Sequence, residues 1–135
     1  MRIFVACWLI LLLTACLGGQ VNGSALKEES YRFTESMRWH DFDGAAKYVA
    51  PDQQQEFFSR FPQDNEDLKI VESQIEAVEI NEANKTAVIS YELEYYRLPS
   101  SRVKKWRWTQ HWRQNGEKEQ NPGLWRIVNP PPPLP

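Results

Sequence analysis

Five side chains are candidates for moving a proton in a reaction: His40, Asp41, Asp43, Tyr48 and His111. General acid–base work needs such a group buried or set beside a charge, so that its pKa approaches the working pH. Asp41-Phe42-Asp43-Gly44 is a turn-forming run, and Asp side chains in turns bond neighbouring backbone N–H groups. His40 sits at the end of a predicted helix, where an imidazolium complements the dipole. His111 alternates with tryptophans and is expected to face away from them. Local structure therefore accounts for these residues without catalysis. Metal chemistry has less support, because two histidines 71 positions apart do not make a ligand spacing. The six glycines are scattered and form no phosphate-binding loop or nucleophile elbow. No metal or other cofactor is expected.

A second feature is a run of basic residues: Arg97, Arg102, Lys104, Lys105, Arg107 and Arg113, with no acid between them. Bases interleaved with Trp106, Trp108 and Trp112 can mark nucleic-acid binding. Strand alternation sends the two sets to opposite faces, which puts the tryptophans in a core and argues against nucleic acid. Two readings remain open: a solvated sheet face, or a face for an anionic partner such as lipid headgroups, a cell-wall polymer or an acidic protein. The charge is uneven along the chain. Residues 16–67 carry five basic and ten acidic side chains, and residues 68–135 carry ten and eight, within a net charge of −2.

The N-terminus has its own pattern. Met1-Arg2 precedes the unbroken apolar stretch Ile3–Leu13. Eleven residues are too few to span a bilayer core, which needs roughly 20. The stretch suits the apolar region of an export signal. Leu13-Thr14-Ala15-Cys16 resembles the lipobox of bacterial lipoproteins. The resemblance implies cleavage between Ala15 and Cys16 and lipidation (palmitate among the acyl groups) at Cys16. With Leu17 rather than Asp after the cysteine, it further implies the periplasmic face of the outer membrane. The other cysteine, Cys7, lies inside the signal. A mature chain would then hold one thiol in an oxidising compartment with no internal partner, which lipidation explains.

The elements that must position these groups follow from periodicity. Residues 1–15 hold a signal, residues 16–23 a Gly-rich tether, residues 24–129 one folded domain, and residues 130–135 a proline-rich tail, expected as polyproline II with no part in the core. Ser24 is the expected N-cap of a first helix, with Leu26, Phe33, Met37 and His40 on one face. Asp43 is the expected cap of a short second helix through Val49. Pro51 opens a third, whose apolar residues are Phe57, Phe58 and Phe61. From Leu68 the period becomes two. A slip around Ala77–Val78 suggests a β-bulge, and Ala87, Ile89, Tyr91, Leu93 and Tyr95 predict a long half-buried strand. Trp106, Trp108 and Trp112 predict a third strand, and Trp125 with Ile127 a fourth.

The expected fold class is α+β, with N-terminal helices on an antiparallel sheet of about four strands. The run from Met37 to Pro51, followed by the long meander, resembles the NTF2-like (cystatin-like) superfamily. That resemblance implies a strongly curved sheet wrapped as a cone around the helices. It also brings a competing function: an isomerase or dehydratase with His40, Asp41, Asp43, Tyr48 or His111 inside the cone. A cone filled by Phe33, Tyr91, Trp106 and Trp108 would instead favour a non-catalytic binding or assembly domain in the envelope. Its partners would be the bilayer through Cys16 and an envelope protein, a cell-wall polymer or a small apolar ligand.

Overall fold

A computed structural model describes residues 22–135, with side chains from Ala25 onward. Ala15, Cys16 and the signal lie outside the described residues. Helix α1 spans Asn22–Arg38, starting two residues before the expected cap, so Asn22 and Gly23 belong to its first turn and not to the tether. The first N–H groups of a helix need no internal partner, so polar and glycine residues are tolerated there. Leu26, Ser30, Phe33, Thr34 and Met37 are its buried stripe, at helical spacing.

His40 does not extend that stripe. It lies past the helix end with φ 61°, where its N–H donates to the Met37 carbonyl (3.2 Å) and the Asp41 N–H to the Ser36 carbonyl (2.8 Å). This left-handed closure satisfies the last carbonyls of the helix. Asp41, not Asp43, caps α2 (Phe42–Ala46), its carboxylate accepting from the Gly44 N–H at 2.9 Å. A cap must precede the first helical residue, and Asp43 is already inside α2. The helix stops at Ala46 because Tyr48–Ala50 turn to a different partner. The Ile127 N–H donates to the Tyr48 carbonyl and the Ala50 N–H to the Ile127 carbonyl, each at 2.8 Å. A 3-10 turn at Pro51–Gln53 leads into α3, Gln54–Arg60.

Four strands follow: β1 (Leu68–Asn81), β2 (Thr86–Arg97), β3 (Lys104–Gln114) and β4 (Trp125–Ile127). They form one antiparallel sheet in the order β1-β2-β3-β4. The α+β class is thus as expected, but the strong curvature is not. The sheet is not strongly curled. The reason lies in the registers: both irregularities are in edge strand β1, at Ile70/Glu72 and Ile75/Ala77. The central β2–β3 ladder runs unbroken from Thr86↔Arg113 to Tyr95↔Lys104. Bulges bend the strand that carries them, so the bend stays at the edge.

The space between α1 and the sheet is filled with rings. Phe33 meets Tyr91 at 5.4 Å, Trp108 at 6.1 Å, and Phe57 and Trp112 at 6.4 Å each. Trp106 joins Phe61 (5.1 Å), Trp108 (5.7 Å) and Tyr91 (6.2 Å). Steep edge-on contacts dominate, as ring quadrupoles favour. One polar link crosses this layer. The Ser73 hydroxyl donates to the Thr34 carbonyl (2.8 Å) and accepts from the Tyr91 hydroxyl (2.6 Å).

The proline-rich segment is not a free tail. Leu134 packs against the core and Pro131 is buried. The Trp106 indole donates to the Pro132 carbonyl (3.2 Å) and the Tyr95 hydroxyl to the Pro135 carbonyl (2.8 Å). Prolines lack an N–H and cannot extend a ladder. Just before them the Asn129 side-chain amide does so, accepting from the His111 N–H (2.7 Å) and donating to the Thr109 carbonyl (2.8 Å). The segment is a strap along β3 beyond the short β4.

Candidate interaction surfaces

The acid–base candidates do not converge. The Asp41 carboxylate serves as the α2 cap, and the Asp43 backbone N–H is held by Gln63. Tyr48 packs on the core where the chain joins β4. His40 lies against Phe42, ring centroids 4.3 Å apart, in a shallow cleft with Gln63 and Lys69. His111 is exposed on the outer sheet face, beside a separate polar cleft of about 990 Å³ bordered by Asp52, Arg60 and the strap. Among the described residues, no three His, Cys, Asp or Glu side chains group as metal ligands.

The helix-end dipole does not hold His40 protonated. Burial, then the Lys69 charge, pushes its pKa below the ordinary range. The folded state thus binds the His40 proton less readily than the unfolded chain. Its stabilising effect is complete above the unfolded pKa near 6.5 and is lost as pH falls through the folded value. Glu72, Glu92 and Glu119 are also lowered, chiefly by bonds to the Ser73 N–H, Arg107 and Arg113 respectively. Their contribution is lost only at more acid pH. Glu29 is shifted upward by burial and works the other way, so the denaturant midpoint of His40→Gln is expected to lose less, relative to the parent chain, between pH 7 and pH 5. An identical slope in the variant would contradict this assignment.

The basic run divides in two. Arg107 meets Glu92 at 2.9 Å, Lys105 lies 3.7 Å from Glu92 and 3.6 Å from Glu94, and Arg113 meets Glu119 at 2.7 Å. Glu92 is only 2% exposed, so this part of the outer face is neutralised by its own acids, two across the strand pair and one from the loop after β3. Arg97, Arg102 and Lys104 make no ion pair within 4 Å among the described residues. They cluster at the β2–β3 hairpin tip, beside exposed Leu98 and Val103.

No family model matches this chain, and no curated protein matches it significantly in sequence. The surface must therefore be read from its own chemistry. Trp39 is 75% exposed, the largest apolar group left in water among the described residues. It borders the cleft formed with Lys69, Ile70 and Tyr96, at the same end of the sheet as Arg97, since Leu68 pairs with Arg97 and Lys69 with Tyr96. This residue is absent from the sequence-derived candidates. Its signal is positional: it stands two residues past Met37, about 200° around a helix from the buried stripe. Its indole N–H donates to Glu35 at 3.3 Å and its ring faces water.

Proposed function

We propose that this chain is a bacterial envelope lipoprotein, anchored through Cys16 at the periplasmic face of the outer membrane. Its domain is a non-catalytic binding or assembly module of NTF2-like descent, with the space between helices and sheet closed. One observation carries the non-catalytic reading. Phe33, Tyr91, Trp106 and Trp108 are all buried and in mutual contact, where a cone-type enzyme needs space for substrate. Recognition then falls to the surface.

The surface best suited is the hairpin end, with Trp39, Tyr96, Arg97, Arg102, Lys104 and Leu98. Trp, Tyr and Arg are the residues that dominate protein–protein hot spots, and unpaired cations there favour an acidic protein partner. A photo-crosslinking amino acid at position 39, in intact cells, is expected to give a discrete adduct. Combining it with Arg102→Glu and Lys104→Glu should abolish the adduct. The same reagent at Lys118, at the opposite end of the sheet, should give none. If position 39 yields no adduct beyond that at position 118, this reading of the surface fails.

A further inference from the structure

At the other end of the sheet, a groove of about 670 Å³ opens between the first turns of α1 and the last residues of β1. Leu26 and Ile75 line its depth, and Tyr31, Val78 and Ile80 its walls. Those three are 60%, 47% and 41% exposed. The second register shift in β1 produces this. Beyond Ile75/Ala77, Val78 pairs with Ile89 and Ile80 with Ala87, both buried. Val78 and Ile80 thus point to the helix-covered face of the sheet, yet remain in water. Among the described residues, the polar side chains at the groove are Lys27, Glu28, Ser30 and the hydroxyl end of Tyr31.

A second copy pairing along β1 would cover this groove, but the strand opposes it. Two irregularities break its edge, and antiparallel self-pairing would bring Glu72, Glu76 and Glu79 of one copy against those of the other. Bulges and like charges are devices that prevent edge pairing. The tether indicates a different occupant. If Cys16 is the lipidated residue, five residues lie between it and Asn22, six steps of chain spanning about 20 Å when extended. Leu26 lies four residues into α1, only about 6 Å further. The groove end is therefore the end held against the membrane.

We propose that this groove docks on the bilayer itself, with Tyr31, Val78 and Ile80 at the boundary between headgroups and hydrocarbon. Tyrosine prefers that depth because its ring is apolar and its hydroxyl wet. At the rim Lys27 carries a positive charge and Glu28 is paired with Arg32, while Glu79 and Glu82 are near Val78 and Ile80 in sequence, a nearly balanced set that favours a zwitterionic surface over an anionic one. This proposal rests on the anchor reading above.

The test uses the full lipidated chain carrying Val78→Cys. Cys7 leaves with the signal and Cys16 is capped by lipid, so an environment-sensitive fluorophore labels position 78 alone. In phosphatidylcholine–phosphatidylethanolamine vesicles its emission is expected to shift to the blue and to be quenched by shallow spin-labelled lipids. A label at Ser101→Cys, on the far hairpin, should stay water-like. Adding Tyr31→Ser and Ile80→Ser should return the label at position 78 to the water-like spectrum. A chain that floats with the vesicles while position 78 stays as wet as position 101 overturns the docking and leaves the anchor intact. A shift that appears only with crosslinkable dimers also overturns it, in favour of a second copy. A chain without lipid mass that stays out of the vesicles refutes the anchor, and the docking with it.

Discussion

Replacing Phe33 with Ala is expected to lower unfolding stability by about 3–5 kcal/mol, the range for removing a large buried ring. A domain of this size has roughly 5–15 kcal/mol in total, so the variant should be marginal at physiological temperature. The expectation comes from position as well as size. Phe33 of α1 meets rings from α3, β2 and β3 together: Phe57, Tyr91, Trp108 and Trp112. The polar ties from α1 to β1 are few, namely Thr34 to Ser73, and Arg38 to Glu72 and the Ser73 carbonyl. Large rigid rings have no small rearrangement that refills the gap. Urea unfolding should show a lower midpoint with an unchanged slope. A loss below about 1 kcal/mol would mean that the core collapses around the vacancy far more easily than close packing allows.

Cys16→Ser is expected to abolish labelled-palmitate incorporation and to remove the mature chain from the outer-membrane fraction. The size of that effect follows from hydrocarbon alone. Each buried methylene contributes about 0.8 kcal/mol, and two chains already give stable attachment. A serine hydroxyl offers no thioether to carry them. The groove is too small a contact to hold the protein by itself, so the variant should not be retained by docking. Palmitate label that persists in Cys16→Ser, or unchanged fractionation, would refute the anchor.

Much of the architecture is legible in the sequence because it is set by local period. The alternation of Ala87, Ile89, Tyr91, Leu93 and Tyr95 predicts β2, and all five are buried, joined on the other face only by Glu92. The apolar stripe of α1 and the phenylalanines of α3 are similarly plain. What period cannot convey is where elements meet. His40 continues the stripe by spacing, yet the chain reverses there through a left-handed residue. The prolines suggest a tail because they cannot pair. The indole and phenol that accept them as a strap come from β3 and β2, many residues away. The basic run looks unopposed along the chain, but its counter-charges arrive from the neighbouring strand, since register sets Glu92 against Arg107 and Glu94 against Lys105. Arg113 is met instead by Glu119 of the following loop, so of six candidate cations three remain free for a partner. The groove is invisible to period altogether, because Val78 and Ile80 alternate like core residues and only the tertiary fold leaves them uncovered.

Strand β2 connects the two ends of the molecule that carry these proposals. Its twelve residues, Thr86–Arg97, extend about 40 Å at roughly 3.3 Å each. With the groove on the lipid, the strand is a stand-off post. It holds the basic tip roughly 4 nm from the foot of the domain, and α1 holds Trp39 about 2 nm from it, where a partner is reached across an aqueous gap. A short leash that would otherwise let the domain tumble at all angles becomes a stalk of fixed height. The protein then selects partners by how far they project toward it as well as by their charge.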